Sequence, residues 1–124
     1  MTMTKTELIE ALTIPYTEFQ SAFVPRAREI VREKGNRLYA MAMLGYTNVC
    51  KNQCLYCGMR AGNKIPRYRI QPEDIVAAAG YAKSLGYERI FLIAGEDPAY
   101  SLDVMLPVIR QIADSGMRIS MAGG

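Results

Sequence analysis

The sequence predicts an α/β fold in which three parallel strands are separated by helices and preceded by an N-terminal helical segment. Three short apolar runs recur along the chain, at 38–46, 89–94 and 117–121. Between consecutive runs lie stretches that carry helix start and stop signals. Alternation of strands and helices at this spacing is typical of βαβ units and a parallel sheet.

The beginning of the chain carries helix signals. Residues Lys5 to Leu12 should form a short helix capped by Thr4, because a threonine side chain accepts a hydrogen bond from a free helical amide. A second helical stretch follows, which Pro25 should interrupt or kink and which should stop at Gly35. We therefore expect residues 1–35 to form an N-terminal helical segment.

Residues 36–124 should form the parallel-sheet part of the chain. The apolar run from Leu38 to Tyr46 is too continuous for a strand with one wet face, so it predicts a strand covered on both sides. A long loop that contains the three cysteines follows this strand.

The first crossover helix should begin at Pro72 and end at Gly86, and the second strand should then cover Arg89 to Ala94. Helical spacing turns four apolar residues of this helix inward, namely Ile75, Ala79, Ala82 and Leu85.

The second crossover helix should be capped by Ser101 or Asp103 and should end at Gly116. Pro107 lies inside this stretch and favours a late start or a kink. Met117 to Met121 then forms the third strand.

The length sets the extent of the fold. A closed (βα) barrel has eight strands and about 250 residues, whereas this chain has 124 residues. We therefore expect the N-terminal part of a TIM-type barrel, with about three strands present and the helix after the third strand missing. An open sheet edge of this kind is a liability in water.

Composition excludes several classes of function. The net charge is +3, but the basic residues are scattered, so neither nucleic acid nor a membrane is an expected partner. The apolar runs are shorter than the roughly 20 residues of a membrane span, and the N-terminus lacks a signal-peptide core, which favours a cytoplasmic protein. Histidine is absent, which excludes a Ser-His-Asp triad and most mononuclear zinc sites.

The most specific pattern is C-x3-C-x2-C, formed by Cys50, Cys54 and Cys57. An odd number of closely spaced cysteines argues against a disulfide framework. Three thiolates can hold three irons of a [4Fe-4S] cluster and leave the fourth iron without a protein ligand. The alternatives are three reduced cysteines or a zinc clip, although zinc would need a fourth ligand.

The motif, at the end of the first strand, resembles that of the radical-SAM superfamily. The resemblance implies that S-adenosylmethionine (SAM) binds the open iron and is cleaved to a 5′-deoxyadenosyl radical, which takes a hydrogen atom from a small-molecule substrate. It also implies a reducing protein such as flavodoxin or ferredoxin as electron donor. A non-catalytic iron–sulfur electron-transfer module and a zinc-binding interaction module remain as alternatives.

Further residues match the family around its cofactor. Tyr56 is similar to the family residue beside the adenine. The tetrapeptide after the second strand resembles the element that receives the SAM ammonium group on backbone carbonyls, and it consists of Gly95, Glu96, Asp97 and Pro98. Without that resemblance, the tetrapeptide is a plain turn.

Arg67 and Arg69 have two interpretations. Their guanidinium groups either reach the SAM carboxylate or ribose, or form a solvated pair that anchors the loop. Ser120 and Gly123 lie where the family places further SAM contacts, at the end of the third strand. No residue is assigned a catalytic role.

Within the superfamily, the chain is most similar to the group of biotin synthase, the [FeFe]-hydrogenase maturase and 3-methylornithine synthase. The residues that carry this similarity lie in Asn36 to Arg69. Cys54 to Arg60 reads like the maturase, whereas Cys50 to Cys54 and the Gly95 to Pro98 element read like methylornithine synthase. The substrate therefore stays open.

Overall fold

The computed structural model describes residues 3–123. The chain divides into two units, one ending at Tyr39 and the second beginning at Ala40. The elements, in chain order, are α1 (Lys5–Thr13), α2 (Tyr16–Glu33), β1 (Ala42–Thr47), α3 (Pro72–Ser84), β2 (Arg89–Ala94), α4 (Leu102–Asp114) and β3 (Arg118–Ala122).

The first unit contains α1 and α2. Thr4 caps α1 as predicted, and it forms a capping box with Glu7, in which each side chain binds the other residue's backbone amide. The interruption considered at Pro25 does not occur, because α2 runs through this residue. Proline has no amide donor and its ring crowds the preceding turn, so the helix continues here with one hydrogen bond fewer. Gly35, with φ of 77°, follows the end of the helix.

The second unit is a three-stranded parallel sheet in the order β1-β2-β3. The crossovers are α3 and α4, which contact each other and the sheet. This arrangement confirms the predicted α/β fold with three parallel strands. No helix in the described range 3–123 combines the length and apolar character needed to cross a membrane.

The first strand is shorter than predicted. It begins at Ala42, which pairs with Ile90 near the start of β2. Leu38 is 93% exposed, because the residues before Ala42 have no strand beside them to pair with. The prediction that both faces of this strand are buried is also wrong, since Met43 is 65% exposed.

The core lies between one face of the sheet and the two crossover helices. Ile75, Ile90, Leu92 and Ile112 are its largest fully buried aliphatic residues. The predicted inward residues Ile75, Ala79 and Ala82 are buried, but Leu85 is 59% exposed, because it follows the last turn of α3, just before the positive φ of Gly86.

The late start considered for α4 does not occur. This helix begins at Leu102 and runs through Pro107. Its apolar face, formed by Met105, Val108 and Ile112, is buried in the core, and this burial offsets the hydrogen bond that proline cannot make.

Candidate functional site

The candidate site lies at the carboxyl end of the sheet, where two irregular segments meet. One is the cysteine loop, residues 48–70, and the other is the β2–α4 loop, residues 95–101. The Lys51 amide of the cysteine loop donates to the Glu96 carbonyl at 3.0 Å, and the Gly95 amide donates to the carbonyl of Thr47, the last residue of β1, at 3.1 Å. The carboxyl end of the strands is where (βα) barrels place their active sites.

Gly95 is required by the close approach of the two loops. A side-chain carbon at this position would overlap the Val49 carbonyl oxygen and lie 2.8 Å from the Cys50 Cβ. Because the glycine admits this approach, the next amide, that of Glu96, donates a hydrogen bond to the Cys50 sulfur at 3.3 Å. Amide hydrogen bonds to ligand sulfurs are among the features that tune iron–sulfur clusters.

The three cysteines are free thiols in one loop. Cys54 is exposed, whereas Cys50 and Cys57 are half-buried. Between residues 3 and 123, no group of three or more Cys, Asp or Glu side chains forms a site for a single metal ion. A four-iron cluster does not need such convergence, because each thiolate binds a different iron. The donor set and its accessibility therefore fit a cluster held by Cys50, Cys54 and Cys57.

The Glu96 side chain binds back to the cysteine loop. Its carboxylate accepts hydrogen bonds from Lys51 Nζ at 2.6 Å and from Asn52 Nδ2 at 2.5 Å. These bonds, first that of Lys51 and then that of Asn52, lower the pKa of the Glu96 carboxyl. Both carboxylate oxygens are thus used to hold the loop beside Cys50.

Asp97 is the buried centre of a second polar cluster. Its carboxylate accepts hydrogen bonds from Arg69 Nε at 2.7 Å, Arg69 Nη2 at 3.0 Å, the Thr47 hydroxyl at 2.9 Å and the Ala99 amide at 3.1 Å. The Arg69 bond is the main cause that lowers the pKa of Asp97, and the bonds from Ala99 and Thr47 add to it. The cluster ties together the end of β1, the end of the cysteine loop and the β2–α4 loop.

The two arginines thus bind protein groups. Arg69 forms a two-bond pair with Asp97, and Arg67 donates to backbone carbonyls of the cysteine loop. These contacts agree with the loop-anchoring interpretation, and a contact of either guanidinium with SAM stays a prediction.

The other predicted cofactor residues are scattered around the same edge. Tyr56 is 93% exposed beside the last cysteine, and Pro98 is exposed in the β2–α4 loop. Ser120 does not lie at the end of its strand as expected. It is the third residue of β3, paired with Phe91, because β3 extends to Ala122. Gly123 directly follows the strand end, at a position where a side-chain carbon would lie 3.2 Å from the Tyr46 hydroxyl.

Several polar residues that hold the site carried no assigned role at the sequence level. The Asn48 side chain donates to the Pro66 carbonyl and accepts from the Tyr68 amide, both at 2.8 Å. The Asn63 side chain bonds the Gly58 carbonyl at 2.9 Å and Arg60 Nε at 2.8 Å. The available signal was a concentration of asparagine within an irregular segment, since asparagine side chains form such local backbone bonds.

Comparison with known proteins identifies the family. Residues 44–122 match the radical SAM superfamily. The chain belongs to the radical SAM superfamily. Members of this family use a [4Fe-4S] cluster and SAM. The match runs from the middle of β1 to the end of β3 and includes both loops of the site.

The similar proteins agree with the predicted group. The chain is 38% identical over 123 residues to the [FeFe] hydrogenase maturase subunit HydE of Thermotoga maritima, covering 98% of this chain and 35% of that protein. It is 38% identical over 66 residues to 3-methylornithine synthase of Methanosarcina acetivorans, covering 53% of this chain and 19% of that protein.

A solved structure shows the same architecture. The crystal structure of methylornithine synthase (PylB) aligns with a TM-score of 0.81 and 25% identity, over 98% of this chain and 37% of that chain. This radical-SAM chain thus spans about a third of the length of HydE and of PylB, and its three strands correspond to part of the TIM-type barrel of the solved structure.

Proposed function

We propose that this radical-SAM chain binds a [4Fe-4S] cluster through Cys50, Cys54 and Cys57 and binds SAM at the iron that these cysteines leave free. The observation that supports the proposal best is the placement of three free thiols in a loop that is already folded against the β2–α4 loop. When bound, the cluster supplies the electron that cleaves SAM to a 5′-deoxyadenosyl radical.

The chain's own residues hold and orient these cofactors. Backbone carbonyls of the β2–α4 loop, from Gly95 to Pro98, would receive the SAM ammonium group, and exposed Tyr56 would lie beside the adenine. The carboxylates of Glu96 and Asp97 would hold the protein rather than SAM, because each accepts hydrogen bonds from donors of the cysteine loop or its neighbours. Ser120, in the middle of β3, would be a further SAM contact.

A reducing protein such as flavodoxin or ferredoxin would deliver the electron. The relatives named above include a hydrogenase maturase subunit and an amino-acid synthase, so the small molecule that loses the hydrogen atom stays unassigned. Membership of the radical SAM superfamily does not favour the electron-transfer and zinc-binding alternatives.

The test is anaerobic reconstitution with iron and sulfide. The expected result is about four irons and four sulfides per chain, with broad visible absorbance. Replacing any one of the three cysteines with alanine should abolish that absorbance, whereas the exposed α3 control Tyr81→Ala should retain it. Stoichiometric zinc without iron–sulfur absorbance would contradict the proposal.

A second measurement separates SAM binding from simple electron transfer. Adding SAM to the reduced protein should change its electron paramagnetic resonance spectrum, because SAM would bind the iron that has no protein ligand. A cluster whose spectrum is indifferent to saturating SAM would favour the electron-transfer module.

A further inference from the structure

Arg67 makes an unusual set of contacts within the cysteine loop. Its Nη1 donates to the Asn48 carbonyl at 2.5 Å and to the Met59 carbonyl at 2.7 Å. Its Nη2 donates to the Arg60 carbonyl at 2.7 Å and to the Asn63 carbonyl at 2.9 Å. The two terminal nitrogens of a guanidinium carry four N–H donors, so these four bonds use every one of them.

The four carbonyls lie on both sides of the cysteines. Asn48 precedes Cys50, whereas Met59, Arg60 and Asn63 follow Cys57. The planar guanidinium therefore closes the cysteine-bearing stretch into a ring by joining its two ends. Within residues 3–123, Arg67 takes part in no ion pair, so its protein partners are the four backbone carbonyls.

This closure matters because the loop has almost no regular secondary structure and depends on polar side-chain contacts of this kind. A flexible segment loses conformational entropy when its ends are brought together, and metal sites that lack a preformed geometry recover that cost from metal binding. Here, the ends are joined by an arginine that can form the same bonds before any cluster arrives.

We propose that Arg67 is a positioning residue that shapes the cluster-binding loop in advance of the cluster, and that it is not a SAM ligand. This inference rests on the proposed function, since it assumes that the loop receives a cluster. Lysine cannot replace this arginine. A guanidinium presents its donors as a planar fork that reaches four separate carbonyls, whereas an ammonium has only three donors on one nitrogen.

The experiment compares Arg67→Met and Arg67→Lys with Arg110→Met, which removes an exposed arginine of α4 outside the site. The first readout is the alkylation rate of each cysteine in the reduced, cluster-free chain. The wild type should react fastest at exposed Cys54 and slowest at the half-buried pair. In Arg67→Met, the three rates should converge, with Arg67→Lys intermediate and Arg110→Met unchanged.

The second readout is the rate at which the reconstituted chain loses iron to a chelator. Loss of a residue that orients metal ligands typically weakens binding about 10–100-fold, so Arg67→Met should release iron at least about 10-fold faster. Far-UV circular dichroism monitors the fold. If Arg67→Met does not fold, the same rates measured on Arg67→Lys decide the matter.

Two results would overturn the inference. Unchanged thiol and iron-release rates in folded Arg67 variants would show that the loop does not depend on this residue. Unchanged thiol rates together with weakened SAM binding would make Arg67 a SAM ligand instead. A wild-type chain that takes up no cluster would contradict the proposed function alone, because the thiol rates still test Arg67.

Discussion

The two halves of the second unit are stabilised in opposite ways. The layer of sheet and crossover helices is held by apolar packing, with Ile75, Ile90, Leu92 and Ile112 at its centre. The cysteine loop has almost no regular structure and is held by polar side chains, chiefly those of Arg67, Asp97 and the loop asparagines. Changes in the layer should therefore destabilise the whole unit, whereas changes in the loop should alter the site first.

The largest expected effect tests the apolar layer. Leu92→Ala should lower the free energy of unfolding by about 2–5 kcal/mol, because it removes a fully buried side chain and leaves a cavity. Its register partner Met121, on the same face of the sheet, is 42% exposed, so Met121→Ala should cost much less. Urea titration followed by circular dichroism measures both. Equal losses would show that the core does not centre on β2.

The next effect tests the contact between the two loops. Gly95→Ala forces a methyl group against the Val49 carbonyl, and overpacking of this kind costs about 1–3 kcal/mol. It should also separate the Glu96 amide from the Cys50 sulfur and reduce the iron content after reconstitution. The control is Gly80→Ala in α3, where nothing lies within 4 Å of the added carbon.

The control substitution should change the stability in the opposite direction. Alanine in a helix interior is more stable than glycine by about 0.5–1 kcal/mol, so Gly80→Ala should stabilise the chain and leave the iron content unchanged. If both substitutions shift the stability in the same direction, the close approach of the loops is not the reason for Gly95.

The smallest expected effect tests the polar cluster. Asp97→Asn removes the buried charge that Arg69 and Thr47 bind, and it should cost about 1–2 kcal/mol. The exposed carboxylate of Glu88, which pairs with Arg118, provides the control, because Glu88→Gln should cost less than about 1 kcal/mol. Thermal unfolding at neutral pH compares the two.

Asp97 also predicts the direction of a pH dependence. Its pKa is lowered in the folded chain, mainly by the Arg69 bond, so the folded state favours the ionised form. Its contribution to stability is complete above the ordinary aspartate pKa of about 3.9 and is lost as the pH falls towards the folded value. Asp97→Asn should reduce the dependence of stability on pH in this acid range. An unchanged pH dependence would show that Asp97 does not contribute to it.

Local signals in the sequence were enough to predict the order and type of the helices and strands. The capping of α1 by Thr4, the start of α3 at Pro72 and the bounds of β2 all depend on neighbouring residues, and all were predicted correctly. The cysteine spacing also predicted the family, because ligand geometry in one loop is a local property.

The tertiary structure decided what depends on distant parts of the chain. Thr47 and Asp97 meet across 50 positions, and the start of β1 depends on where β2 begins beside it. Arg67 and Arg69 looked equivalent, yet one binds carbonyls and the other a buried carboxylate. Spacing along the chain cannot choose between such partners, because the folded backbone brings the acceptors to each guanidinium.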